Sequence, residues 1–385
     1  MDTGRFVVDW HAVTITNGGG PIIPDYSGPN VRGIIPALLG PSSWSNGLPD
    51  WFPSPIAHAE QAVLLVLDGL GWDQLEAHRD LMPTLSSMTG RPIHTVAPTT
   101  TATALSSIAT GLTPAEHGLI GYRMVLGGEI MNVLRWTVGD QAVRRSHPPR
   151  DVQPFDPFLG QSVPVVSPAE LQSSAFSEAH LRGATPRGWR AASSIAVEAA
   201  DLVAAGERFV YCYYGGIDKI AHERGFGAYY EAELRTADRL VGDLIEAVGP
   251  GTAVIVTADH GQVHVADHII HPSAEMLAGV SMQSGEGRFR WLHAQNGAIR
   301  SVVDAATDEV GHEAWVVTRE QMLDEHWFGP TMAPVVRARL GDVALVARGD
   351  ASFHDPADSG PFELMCRHGS LTSAEVNVPL LATLS

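Results

Sequence analysis

Three times along this chain an unbroken apolar run of strand length gives way to an aspartate with glycine close by. Residues 62–67 (AVLLVL) lead into Asp68-Gly69, 209–214 (FVYCYY) into Gly215-Gly216-Ile217-Asp218, and 252–257 (TAVIVT) into Ala258-Asp259-His260-Gly261. A strand with one wet face alternates polar and apolar residues. An unbroken run is the pattern of a parallel sheet covered on both sides. Helical material lies between, at 190–204 with its alanine-rich face, and at 229–248, where Leu234, Ala237, Val241, Leu244 and Ile245 recur at helical spacing. Strands alternating with helices predict a doubly wound α/β fold, with a mostly parallel central sheet and helices on both faces. Such sheets bind ligands at the C-terminal ends of their strands. Several aspartates gathered there repel one another unless cations lie among them. That is the argument for a metal site.

The residues around the aspartates fit it. Asp218 and His222 are spaced i, i+4, which on a helix brings both to one face. Asp259 and His260 are adjacent, and can share a cation only at a strand end or sharp turn, which is where they lie. With 17 histidines and only 2 cysteines in the chain, a metal site here is built from imidazole and carboxylate. That chemistry suits zinc or another divalent first-row metal better than calcium or magnesium. Taken singly, Asp68 reads as a helix cap, His222 as a surface histidine and Asp259 as a turn residue. Their joint placement reads as a ligand set.

A second feature supplies a nucleophile. Residues 96–121, VAPTTTATALSSIATGLTPAEHGLIG, place Thr99, Thr100 and Thr101 at the start of a short helix-like segment ending at Gly111. A threonine at a helix start caps it, or holds a hydroxyl where backbone N–H groups and the helix dipole favour an incoming phosphate. The stretch reads as a phosphoryl-transfer nucleophile segment.

VLDGLG, TTTATALSSIATGLTPAEHG, GGIDKIAHERG, TADHG and RHGS stand in the order found in the alkaline phosphatase superfamily. The chain resembles its type I phosphodiesterase/nucleotide pyrophosphatase branch from about residue 62 to 381. The resemblance implies two divalent ions, read as zinc. Asp68, Asp259 and His260 would hold one, which also touches the nucleophile; Asp218, His222 and His368 would hold the other. The family's threonine lies ten residues before the glycine of its TG element, which by count from Gly111 is Thr101, with Thr100 as runner-up. His354 competes with His368 for the last ligand position, and His368 matches the family's HG element. The implied reaction is cleavage of a small phosphate ester, a phosphodiester or nucleotide-like pyrophosphate, through a phospho-threonine intermediate.

One departure bears on substrate. Where the family's phosphodiesterases commonly place an asparagine after HG-x-x-G, this chain has Tyr122, followed by Arg123. A phenol donates one hydrogen bond, and an arginine can grip a doubly charged terminal phosphate bidentately. Tyr122 and Arg123 are therefore the expected substrate contacts. They raise an alternative, a phosphomonoesterase or phosphonate hydrolase on the same site. A metal-binding interaction protein that has lost turnover is the reading from another class.

The remainder frames that core. Residues 1–58 are rich in Gly, Pro and Ser, with a short apolar alternation at 6–10 and an apolar segment at 31–39, and read as an irregular arm packed on the main domain. The catalytic core is expected over 59–262 and 349–385, with helix at 75–85 and a short strand at 93–97. Residues 263–348 read as an inserted α+β cap, opening with His264, His268 and His271 and a Gly/Ser-rich turn, SGEGR. Its elements are expected at 289–293, 298–306, 314–318, 319–326 and 342–347. The three histidines read as surface or lid residues. A formal charge of −18 argues against a nucleic-acid polymer or an anionic membrane as partner. Two isolated cysteines, first residues that lack both a basic start and a long apolar stretch, and no run of membrane-spanning length point to the cytoplasm.

Overall fold

The structure, a computed structural model, describes residues 19–40, 47–358 and 363–385. The alternation expected at 6–10 lies outside the described residues. Seven strands form the central sheet: β1 (Gln61–Leu67), β2 (Thr89–His94), β3 (Pro164–Pro168), β4 (Thr185–Trp189), β5 (Phe209–Tyr214), β6 (Thr252–Thr257) and β7 (Asn377–Leu384). Their spatial order is β2-β7-β6-β1-β5-β3-β4. The five strands from β6 to β4 are mutually parallel, and β7 runs antiparallel to both β6 and β2.

The three apolar runs are the three adjacent strands at the centre. β1 is buried from Ala62 to Leu67, β5 pairs on one side of it and β6 on the other. The register sets Val66 beside Thr257 and Leu67 beside Tyr214, so all three C-terminal ends open at one level. The Asp68 amide donates to Tyr214 O and the Asp218 amide to Asp68 O, tying the ends together. The helices Ser194–Ala204 and Ala228–Ala247 pack their apolar residues, among them Leu234, Ala237, Val241 and Leu244, into the core cluster that holds β1, β5 and β6.

Several expectations need correction. The helix expected over 75–85 is divided: an α-helix at Trp72–Ala77, a 3₁₀ turn at Arg79–Leu81, and a further short helix opened by Pro83. Proline lacks the N–H that a continuous helix would need there. The strand expected at 93–97 is β2, ending at His94. β3 and β4 were not foreseen, since PVVSP carries two prolines, and TPRGW lies mostly exposed at the sheet's edge, the position where proline is tolerated. The supposed irregular arm contains a helix, Ile34–Leu39, with Ile34, Ile35 and Leu38 buried.

A second sheet is antiparallel, in the order Val280–Glu286, Phe289–Ala294, Val343–Ala347, Ala314–Thr318, with helices Ile299–Val310 and Arg319–Asp324 beside it. The five elements expected inside 263–348 are thus found, the longest discrepancy being the helix, which runs on to Val310. Phe289, Trp291, Trp327 and Phe328 of this region share a core cluster with Ala97, Ala115, Ile120 and Leu371. The second sheet is thereby packed onto the segments that flank the threonine run and His368. A small antiparallel sheet over residues 123–142 completes the architecture. Among the described residues, no helix is long and apolar enough to cross a membrane.

Candidate active site

The three strand ends bring Asp68, Asp259 and His260 together, all buried, with one ligand atom from each within 4.8 Å of the others. A second group of the same compactness joins Asp218, His260 and His368. His222 stands beside it, with Nε2 3.2 Å from Asp218 Oδ1, on the same face of the Gly216–Arg224 helix. The two expected ligand sets therefore lie in one cluster, with His260 between them. His354 is elsewhere, its ring 4.4 Å from that of His271.

The tautomers are set from behind. Nδ1 of His260 faces Gly261 O at 3.0 Å, that of His222 faces Cys366 O at 2.7 Å, and that of His368 faces Thr99 O at 2.8 Å. A carbonyl only accepts, so each Nδ1 carries a proton and Nε2 is the nitrogen each ring turns toward the carboxylates, with a lone pair there whenever the ring is neutral. His260 Nε2 lies 3.5 Å from Asp68 Oδ1 and 3.5 Å from Asp259 Oδ2. Both of those oxygens are shut from solvent without a hydrogen-bond partner among the described residues. Lone pairs aimed at unpaired carboxylate oxygens repel unless a cation lies between them. Backbone-anchored imidazoles of this kind are how metal-ligating histidines are held. The residues present fit a divalent ion.

The charges say the same. Burial pushes the Asp68 carboxyl well above the usual range, and the Asp259 and Asp218 charges push it further. Burial likewise raises Asp259, only partly offset by His260. Burial works against an ionised Asp218 too, but His222, His368 and His260 reverse it, leaving the carboxyl below its ordinary value. Burial and the neighbouring His260 and His222 hold His368 neutral, with its proton affinity far down. Burial works against a charged His222, but Asp218 beside it raises its proton affinity above the ordinary value. Without a cation this cluster therefore holds protons, which a divalent ion bound to the same oxygens and nitrogens displaces.

Thr101 opens the Thr101–Thr110 helix, which ends on Gly111 in the left-handed conformation. Its Oγ1 lies 3.1 Å from His260 Nε2. The other threonines have different surroundings. Thr99 Oγ1 donates to Ser370 O and accepts from the Gly369 amide, so it is consumed in bracing the His368 segment. Thr100 is the N-cap residue but makes no side-chain cap bond. Of the two roles open to the run, side-chain capping is not the one seen at Thr100; the Thr103 and Ala104 amides bond to Thr100 O, and the amides before them begin the helix without an intrahelical partner.

The family profile for type I phosphodiesterase/nucleotide pyrophosphatase matches residues 62–370, which includes every residue of this cluster. The chain belongs to that family. Its members are phosphoric ester hydrolases, and this chain is an enzyme of that class. Among solved structures the fold is similar to murine ectonucleotide pyrophosphatase/phosphodiesterase 5 (TM-score 0.63, 13% identity, covering 83% of this chain and 87% of that one). The human protein of the same name gives a TM-score of 0.60 at 14% identity, covering 83% and 87%. Phosphonoacetate hydrolase from Sinorhizobium meliloti gives 0.59 at 18% identity, covering 84% and 90%. Among curated protein sequences nothing matches this chain.

Around this candidate metal-ligand cluster, residues that the sequence left unmarked do supporting work. Tyr213, within the aromatic run of β5, donates its hydroxyl to Asp68 Oδ2. Gln262 Nε2 donates to Asp218 Oδ1 at 2.9 Å, and the Gly69 amide to Asp259 Oδ1 at 3.1 Å. Gly69 has φ +80°, and a Cβ there would come within 3.1 Å of the Asp218 backbone, so only glycine lets the first strand end pass so close to the second. No local signal distinguishes Tyr213 from core aromatics; its position one residue before a strand end rich in carboxylate is the only hint.

The two residues expected to meet substrate separate. Tyr122 follows Gly121, whose amide donates to Thr103 Oγ1 in the first turn of the Thr101–Thr110 helix, and its own amide donates to Glu286 Oε2. Arg123 is buried, with Nη1 2.6 Å from Asp355 Oδ2 and 3.8 Å from Asp358 Oδ2. Its guanidinium is occupied by carboxylate, which competes with the phosphate grip expected of it. His264, His268 and His271 disperse: His264 accepts from the Phe226 amide, His268 lies 2.8 Å from Asp350, and His271 is beside His354.

Proposed function

We propose that this protein is a two-zinc hydrolase that cleaves phosphodiester or pyrophosphate bonds of a small, nucleotide-like substrate through a phospho-threonine intermediate on Thr101. The observation that carries the reading is the Thr101 hydroxyl set 3.1 Å from His260 Nε2, within a cluster of carboxylate oxygens that lack partners. Asp68, Asp259 and His260 would hold one ion, and Asp218, His222 and His368 the other. When bound, such ions lower the pKa of an adjacent hydroxyl and neutralise charge on phosphoryl oxygens.

The chain's own residues do the rest. Thr101 presents its oxygen to phosphorus from a helix start whose uncapped amides face incoming negative charge. The bond to the leaving oxygen breaks as the bond to Thr101 forms, and water then returns the threonine. Two neighbours support both the chemistry and the substrate class. An inactive murine phosphodiesterase 5, with a threonine replaced by alanine, is described in complex with AMP. The phosphonoacetate hydrolase is described in complex with phosphonoformate and phosphonoacetate. The second reading, a monoesterase or phosphonate hydrolase, leans on that likeness, while the pairing of Arg123 with Asp355 removes the cation expected to favour it. We read residues 263–348 as a cap that shapes the leaving-group side, and the buried, unbonded Cys212 and Cys366 as suited to the cytoplasm.

The test is a parallel assay on a bis(aryl) phosphate, a nucleoside pyrophosphate and an aryl phosphate, with wild type and Thr101→Ala. The diester and pyrophosphate should outrun the monoester. Thr101→Ala should lower turnover by at least about 10³-fold with its zinc content intact. Normal turnover in that variant contradicts the assignment.

A further inference from the structure

Strand β5 carries three tyrosines whose hydroxyls go to different places. Tyr211 Oη is buried without a partner among the described residues, and Tyr214 Oη donates to Glu233 Oε1. Tyr213 Oη donates to Asp68 Oδ2. The two glycines that follow make room for the last two phenols. A Cβ on Gly215 would sit 2.9 Å from Tyr213 Oη and 3.4 Å from its ring, and one on Gly216 would sit 2.4 Å from Tyr214 Oη. The Tyr213 phenol therefore lies against the Gly215 backbone and reaches the end of the neighbouring strand β1, where Asp68 stands. The Tyr213 carbonyl accepts from Trp189 Nε1 at 3.3 Å, which holds the strand end from its other side.

Asp259 shows what this contact does for Asp68. Its Oδ1 accepts from the Gly69 amide at 3.1 Å and the His260 amide at 3.0 Å, and its Oδ2 is bare, 3.5 Å from His260 Nε2. Asp68 has Oδ2 engaged by Tyr213 and Oδ1 bare, again 3.5 Å from His260 Nε2. Each carboxylate is clamped by one oxygen and offers the other to the same imidazole. For Asp259 the clamps are backbone amides. For Asp68 the clamp is one side-chain hydroxyl. A carboxylate that binds a metal through one oxygen fills one coordination position, and a catalytic metal site needs positions left open for the reacting groups. Partners that orient a metal ligand from behind change metal affinity severalfold to a hundredfold when they are removed.

We propose that Tyr213 is a positioning residue for the first cation. It holds Asp68 as a one-oxygen ligand beside Asp259 and His260, and so fixes the ion next to the Thr101 hydroxyl. The proposal rests on the two-cation reading and adds to it a side chain on which only one of the two sites depends. Gly215 belongs to the same arrangement, because a side chain there displaces the phenol.

The experiment measures zinc binding by chelator competition in wild type, Tyr213→Phe and Gly215→Ala. Wild type should bind two ions. Tyr213→Phe should raise the dissociation constant of one ion about 10–100-fold and leave the other within about 3-fold. Gly215→Ala keeps the phenol in the chain but pushes it aside, and should weaken the same ion. In an Asp68→Ala background the phenol has no carboxylate to hold, so adding Tyr213→Phe should change binding of the remaining ion less than about 2-fold. Melting temperatures separate positioning from simple packing. A phenol that only packs would lower the metal-free and zinc-loaded proteins alike, whereas the proposal expects the rise on adding zinc to shrink in Tyr213→Phe. Two ions bound as tightly in Tyr213→Phe as in wild type, or both weakened equally, overturn the proposal and leave the cation reading standing. A wild type that binds no zinc overturns the cation reading and this proposal with it.

Discussion

Two buried clusters of charge lie close together in this molecule, and they are built on opposite plans. In one, Arg288 and Glu375 are both fully buried, and every nearby group closes on the pair: the Glu375 carboxylate also accepts from the Ser370 amide and Thr372 hydroxyl, and Arg288 donates to Ala351 O. In the other, Asp68 and Asp259 each keep an oxygen with no partner among the described residues, and three imidazoles turn their Nε2 atoms toward them and Asp218. The first cluster is complete by itself; the second is complete only with cations. The difference shows how this fold separates structure from chemistry. Glu375 braces the turn after His368 by accepting from the Ser370 amide, and its backbone carbonyl accepts from the Gly261 amide beside His260, so the unpaired cluster is held in place from both sides.

The comparison can be broken most forcefully from the paired side. Arg288→Met leaves Glu375 buried with its charge unanswered, and should cost about 3–5 kcal/mol of unfolding free energy in a denaturant titration. Replacing both partners, Arg288→Met with Glu375→Leu, should recover much of the loss. A single variant as stable as wild type would show that the pair is not self-contained. A smaller effect sharpens the contrast at Glu286, which lies beside Gly121 and Gly369. It accepts from the Tyr122 amide, its other oxygen is unpaired, and burial pushes its carboxyl from 4.5 up to about 8. The unfolded chain therefore gives up this proton first as pH rises, so the native state loses stability between about pH 4.5 and 8. Glu286→Gln removes that slope. Its melting temperature should gain on wild type by a few degrees at about pH 8 and little at about pH 5, and a constant difference across that range would contradict the assignment.

What the sequence disclosed follows from how local each signal is. β1, β5 and β6 were legible because strands covered on both faces must be apolar throughout, and the aspartates because they ended those runs. Asp218 with His222 was legible as a helical spacing. β3 and β4 were hidden by prolines and by exposure at the sheet's edge, where the apolar pattern relaxes. Tyr213 and Gln262 were hidden because a hydroxyl or amide serving a carboxylate leaves no trace in a strand's composition. Arg288 and Glu375 are 87 residues apart, too far for any local pattern to pair them. Thr101 was chosen by count from Gly111, and the structure sets its hydroxyl, rather than that of Thr99, against His260.

The central claim is that the unpaired cluster is a two-cation site. Its most direct test is the metal content of the purified wild-type protein after zinc loading and exhaustive dialysis, measured by atomic emission against protein concentration. The ligand geometry of Asp68, Asp259 and His260 beside Asp218, His222 and His368 predicts about two zinc ions per chain. A chain that retains none contradicts the account, and one that retains a single ion contradicts its division of the ligands.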